Sequence, residues 1–124
     1  MARPFKNSKI VFKWNNKYEE VFVNQVIYFE AGGPYTKIQL KDKTFEIAKG
    51  LKEIECFCKN YNFIRIHKSY LINKKYFRKL SNTKVYMRYT QMPIPISVRK
   101  LNEVKLLINI PTKIKNKVLV TIYD

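Results

Sequence analysis

The chain has 124 residues, 25 of them Lys or Arg against 9 Asp or Glu, for a formal net charge of +16. With 46% hydrophobic and 15% aromatic residues and only 3 glycines, it is too apolar for a disordered chain and long enough for one domain with its own core. So large a positive excess costs self-repulsion and answers a polyanion, whether DNA, RNA or an acidic membrane surface.

Strand period opens the chain, where Ile10, Phe12 and Trp14 alternate with Val11 and Lys13. Asn15-Asn16-Lys17 reads as a turn and Tyr18 to Val23 as the returning strand. Val26 to Glu30 is a β-branched and aromatic run, broken by Ala31-Gly32-Gly33-Pro34. Tyr35 to Leu40, a turn at Lys41-Asp42-Lys43, and Thr44 to Ala48 make a hairpin pattern. The period then lengthens. Leu51, Ile54, Phe57 and Cys58 share one face of a short helix, with Lys52, Glu53, Glu55 and Lys59 on the other. Phe63 to Ile66 is a short strand, followed by Leu71 and Ile72 as core candidates. Tyr76 to Leu80 and Lys84 to Tyr89 flank Ser81-Asn82-Thr83 in a second hairpin. Pro93-Ile94-Pro95-Ile96 fits only an edge or irregular strand, because its prolines donate no backbone hydrogen bond. Ser97 is placed as N-cap of a last helix whose apolar face is Val98, Leu101, Val104 and Leu107 or Ile108, with Pro111 closing it. Val118 to Tyr123 suggests one more strand.

The acids are unevenly placed. None occurs between Glu55 and Glu103, a stretch that holds eleven Lys and Arg residues. An acid-free basic segment is the footprint of a phosphate-facing surface. Cys56 and Cys58 are too close for an ordinary long-loop disulfide and lie in the helical pattern, so they read as reduced. A structural zinc site takes about four ligands, which two Cys and a single His do not supply, so no metal or other cofactor is expected. No apolar run approaches the ~20 residues of a membrane helix. Met1-Ala-Arg-Pro-Phe-Lys6 lacks the apolar centre of a secretory signal, and a cytoplasmic location is the expectation.

Enzyme chemistry finds little support. His67 and Ser69 are two residues apart, too close for a usual triad, and no Gly-rich phosphate loop or paired-carboxylate constellation is present.

Phe63-Ile-Arg-Ile-His-Lys-Ser-Tyr-Leu-Ile-Asn73 resembles the signature of the LytTR family of bacterial transcription-regulator DNA-binding domains. Pro95-Ile-Ser-Val-Arg-Lys100 is similar to the family's Ser-x-Arg element, and Val26-Ile-Tyr-Phe-Glu-Ala31 with Tyr35 to its Glu-Ala strand and loop. The match runs over roughly residues 18 to 108, leaving 109 to 124 as an extension of a single domain. The resemblance implies a mainly β fold: an elongated arrangement of about ten short strands in three small sheets with one or two short helices. It also implies double-stranded DNA as partner, contacted by three loops, with two copies on paired repeats. Members often follow a receiver or sensor domain, so such an upstream partner is expected.

Mapped onto this chain, the first loop is Gly32 to Lys37, where Tyr35, Thr36 and Lys37 can donate to phosphates or base edges. Pro34 stands where the family commonly has Asn, so this loop presents its side chains differently. In the second segment, Lys68 would act as a point charge on phosphate. His67 either contacts DNA or fixes the turn, Ser69 caps it, Asn73 bonds backbone, and Arg65 pairs with an acid such as Glu30 or Glu46. Lys74 and Lys75 are generic phosphate candidates. Arg99, in the first turn of the last helix, is the main base-reading candidate, its fork suited to guanine O6 and N7. Its alternative is an ion pair with Glu103, and Lys100 beside it serves phosphate. Two rival functions stay open, an RNA-binding β-domain that stacks bases on exposed aromatics, and a basic protein-interaction module.

Overall fold

The computed structural model describes residues 8–109. β1 (Lys9–Trp14) and β2 (Lys17–Phe22) pair antiparallel across Asn15 and Asn16, which sit at φ of 50° and 64°. Two left-handed residues match the twist of a two-residue hairpin, and asparagine tolerates that conformation better than most side chains. β3 (Tyr28–Gly32), β4 (Tyr35–Gln39), β5 (Thr44–Ile47), β6 (Phe63–His67) and β7 (Tyr70–Asn73) form a five-stranded antiparallel sheet in the order β5-β4-β3-β7-β6. β8 (Phe77–Ser81), β9 (Lys84–Met87) and β10 (Ile94–Pro95) form a three-stranded sheet, with the proline-flanked β10 at its edge as expected. Helix α1 (Leu51–Phe57) follows β5, and α2 (Leu101–Asn109) follows a 3-10 turn at Val98–Lys100. This is the mainly β, three-sheet, two-helix arrangement anticipated above. Pro111 and Val118 to Tyr123 lie outside the described residues.

The large sheet is buried on both sides. Alternation sends Phe29, Ile38 and Leu71 into one cluster with Phe12, Val21, Leu51 and Ile54. It sends Tyr28, Ile64 and Ile72 into a second, with Val85, Met87, Ile94, Val104 and Ile108. One layer is therefore β1–β2 with α1, and the opposite layer is β8–β9–β10 with α2. The consecutive buried run Val26-Ile27-Tyr28-Phe29 reflects this, because a strand with two covered faces cannot alternate with polar residues.

Two helical readings need correction. Phe57 is exposed, while Leu51, Ile54 and Cys58 face the core. At roughly 100° per residue, Phe57 lies about 120° off the Leu51 line, past the edge of the stripe. Val98 is 82% exposed, because the segment before Leu101 winds as a 3-10 turn and does not carry the apolar row backward. Leu101, Val104 and Ile108 make the inward face of α2, and Leu107 points outward.

Asn73 joins two layers of this structure. Its Nδ2 donates to Val26 O at 2.8 Å and Asn24 O at 3.3 Å, and its Oδ1 accepts from Lys75 N at 3.0 Å. At 2% exposure, its removal deprives the Val26 carbonyl of a donor at a buried position. Asn73→Ala should lower stability by about 1–3 kcal/mol in urea unfolding, and Lys75→Ala, which keeps the main-chain donor, should change it by well under half that amount.

Candidate nucleic-acid interface

The first anticipated loop is mostly strand. β3 runs on through Gly32 and pairs with Tyr35, so only Gly33 and Pro34 form the turn. Gly33 takes φ +75°, and the Pro34 ring fixes the next residue near −65°, the sign pattern of a II′ hairpin turn. Tyr35 is half exposed at the mouth of β4. Thr36 is fully buried and its hydroxyl donates to Lys49 O at 2.6 Å, so it serves the fold and presents nothing outward, against the expectation for it. Lys37 is half-buried and pairs with Glu30 Oε1 at 3.1 Å across the strands. Burial alone would pull the Lys37 ammonium down, but the hydrogen bond and charge of Glu30, helped by Tyr28 and Glu46, outweigh it and lift it above the ordinary value.

The β6–β7 connection is organised by Arg65. Its Nε donates to His67 O at 2.8 Å, its Nη2 to Lys68 O at 2.6 Å, and its Nη1 to Glu55 on α1. The anticipated partners Glu30 and Glu46 are not used; Glu30 is occupied by Lys37 and by the Tyr70 hydroxyl, which donates to it at 3.1 Å. A bulge between Arg65 and His67 re-aims the strand end. Ser69 N donates to His67 Nδ1 at 3.0 Å, which requires the tautomer with its proton on Nε2. His67 therefore fixes the turn, one of the two roles anticipated. Ser69 acts through its main chain, as donor to His67 and as acceptor, through its carbonyl, of the Ala31 N–H at 2.8 Å. Lys68 is left exposed at the apex.

The third segment is the Ser97–Lys100 turn. Ser97 stands at the N-cap, but its side chain makes no capping bond; its carbonyl accepts from Lys100 N at 2.9 Å. Arg99 is exposed, and among the described residues its side chain forms no ion pair, Glu103 included. Lys100 is half-buried, and its Nζ donates to Arg65 O at 3.3 Å, so it ties this turn to β6.

Main-chain bonds set the three segments side by side. Ala31 N to Ser69 O joins the end of β3 to the second turn, and Ser97 N to Ile66 O, at 2.8 Å, joins the third turn to β6. Lys74 does not belong to this group. It follows β7 whereas Ser69 precedes it, a strand length of roughly 15 Å away. The residue that sequence reasoning undervalued is Arg65, whose role depends on α1 delivering Glu55 beside it.

Among the described residues no group of three or more His, Cys, Asp or Glu could hold a metal ion, and both cysteines are free. Burial pushes the Cys58 thiol up to about 12. No helix of the described residues is long and apolar enough to cross a membrane.

Fold and site together define a β-rich, basic module whose turns at one edge are held side by side by main-chain bonds. The chain belongs to the LytTr DNA-binding domain family, which it matches over residues 16–109, and it is thereby a DNA-binding domain of a kind that serves transcription regulation. That is not an enzyme family. Its structure is similar to the LytTr DNA-binding domain of a Bacillus cereus protein described as a methyl-accepting/DNA response regulator. The TM-score is 0.71 at 20% identity, covering 83% of this chain and 98% of that one, a likeness of fold. No curated protein matches the chain.

The Glu30 cluster gives a pH signature. Burial first, then the Glu30 carboxylate, pushes the Tyr70 phenol up to about 12 from its ordinary 10.0. The folded value lies above the unfolded one, so the stability contributed by neutral Tyr70 is complete below pH 10 and is lost as pH rises toward 12. Tyr28, raised chiefly by its own burial, should also ionise late, so absorbance titration should show a late component that Tyr70→Phe reduces without abolishing, and that variant should lose less stability over the same interval.

Proposed function

We propose that this domain binds duplex DNA sequence-specifically in bacterial transcription regulation, along one edge built from the Gly33–Pro34, Lys68–Ser69 and Ser97–Arg99 turns. The observation that carries the reading is the pair of main-chain bonds, Ala31 N to Ser69 O and Ser97 N to Ile66 O, that sets these turns in one row. Arg99 is the base reader, since it is exposed and forms no ion pair among the described residues, and a fork of that kind suits guanine O6 and N7 in the major groove. Lys68 neutralises phosphate from the apex of the second turn. His67 can donate from Nε2, and Tyr35 from its hydroxyl. Ser69 offers only its hydroxyl there, because its main chain is engaged. Lys37 and Lys100 reach the duplex only on leaving Glu30 and the Arg65 carbonyl, and Lys74 touches phosphate, if the footprint extends that far, apart from the row. The contact set excludes Thr36.

Two copies would occupy paired repeats on one DNA face, under an upstream receiver or sensor. Free cysteines suit the reducing cytoplasm in which bacterial DNA lies.

Selection from a random duplex pool tests the reading. Wild-type protein should enrich one motif, with a log–log salt slope of about −0.9 per phosphate neutralised. Arg99→Ala should lose about 1–3 kcal/mol of discrimination at one base position, while Lys68→Ala should weaken all duplexes alike. A preference for single-stranded RNA over the selected duplex, or no salt-sensitive binding at all, would sink the proposal in favour of an RNA or protein partner. Unchanged preference in Arg99→Ala would remove that residue from the reading role.

A further inference from the structure

We propose that the outer face of the β8–β9–β10 sheet is a second duplex-contacting surface, one that carries the phosphate backbone onward past the Arg99 turn. This rests on the duplex-binding reading above. Val85 and Met87 face the core, so Lys84 and Tyr86 face the other way, with Lys79 opposite Tyr86 and Ser81 opposite Lys84. A register shift between Phe77 and Lys79 inserts Arg78 as an extra residue and turns it toward the same ring. The Arg78 guanidinium lies 5.9 Å and the Lys79 ammonium 5.0 Å from the centre of Tyr86.

Held in this way, the two cations are ordered but not neutralised. A carboxylate partner would cancel their charge, whereas a ring face leaves their N–H groups free for a second acceptor. Among the described residues no ion pair reaches Arg78, Lys79 or Lys84. The sequence places no acid between Glu55 and Glu103, so nothing on this sheet could supply one.

Location selects the partner. Ile96 N donates to Thr83 O at 2.9 Å, immediately before Ser97, so the β8–β9 turn abuts the Arg99 turn and prolongs the same row. Lys84, exposed at that turn, is the nearer cation. The Lys79–Tyr86 pair lies two residues further on, about 7 Å, within reach of neighbouring phosphates of the same strand. A duplex seated on Arg99 thus meets this face next, whereas an acidic protein would need no such alignment.

The test uses the full chain with Lys79→Gln and Lys84→Gln combined, beside a control with Lys13→Gln and Lys17→Gln on the β1–β2 layer. Both doubles remove the same charge from exposed positions, and equal thermal midpoints will establish that both fold. Each protein is titrated, over a salt series, with a duplex that just spans the selected site and with one longer by about one helical turn, ~10 bp, at each end. Wild type and control should bind the longer duplex at least several-fold more tightly, with a steeper salt slope. The Lys79/Lys84 variant should lose that gain, and its slope should fall by about two, one per lysine. If it keeps the wild-type gain and slope, or if the control loses as much, the proposal is overturned while duplex binding stands. If wild type binds neither duplex, both readings fall together.

Discussion

Arg65 occupies the point where α1, β6 and the His67–Ser69 turn meet, and its guanidinium bonds to all three. The geometry needs a planar fork, because a lysine offers one mobile ammonium and could not hold a carboxylate and two separate carbonyls at once. Electrostatically, the fork draws the His67 and Lys68 carbonyls inward. Carbonyl oxygens carry partial negative charge, and left outward at this apex they would repel a phosphate. With them turned in, the Lys68 side chain is what remains on the surface. Glu55 neutralises the guanidinium from α1, so the positive charge of Arg65 is consumed in the fold and not added to the proposed binding edge. Lys100 then closes on the Arg65 carbonyl, which couples the third turn to the same residue.

Turns can serve as reading elements only if binding does not have to freeze them. Ordering a backbone residue costs about 1–2 kcal/mol, and a loop of several free residues would lose much of its contact energy to that term. Here the freedom is already removed. The first loop is shortened to Gly33 and Pro34 by continuation of the β3–β4 ladder, and the second is fixed by His67 Nδ1 and Arg65. The sheet beneath is covered on both faces, so the strands that end in these turns are themselves anchored in two cores.

Much of this arrangement is legible in the amino-acid sequence. Alternation locates the strands, Asn15-Asn16 marks its turn, and Val26 to Phe29 betrays a strand with no exposed face. What periodicity cannot supply is register and neighbourhood. Thr36 looks like a loop donor until the pairing of Gly32 with Tyr35 places it inside β4, over the Lys49 carbonyl. Arg65 has several acids to choose from, and the choice of Glu55 depends on how α1 lies across the sheet. Val98 and Phe57 fall at the margins of apolar stripes, where a change from α to 3-10 winding, or one residue of phase, decides between core and solvent. The motif from Phe63 to Asn73 leads to the family, and most of its residues have structural work: Ile64, Ile66, Leu71 and Ile72 pack, Arg65 and His67 brace the turn, and Asn73 bonds main chain at both its ends.

The distribution of acids completes the picture. Among the described residues four acids, Glu20, Glu30, Glu53 and Glu55, form ion pairs. The two exposed pairs, Lys9–Glu20 and Lys49–Glu53, contribute little to stability, so their chief consequence is where they leave the field uncancelled. Lys9 and Lys49 are neutralised on the β1–β2 and α1 side, whereas Lys68, Arg99, Arg78, Lys79 and Lys84 are exposed and form no ion pair among the described residues. Part of the net +16 thus lies uncancelled along the row of turns and the adjoining sheet. Such a surface repels itself when free and is relieved when phosphate arrives, so added salt acts in opposite senses on the two states. Screening eases the repulsion within the free domain while it erodes the counterion release that drives association. A domain built in this way gains its affinity from the same charge that strains it alone, which is why the double core and the buried Asn73 must carry the fold without help from its surface.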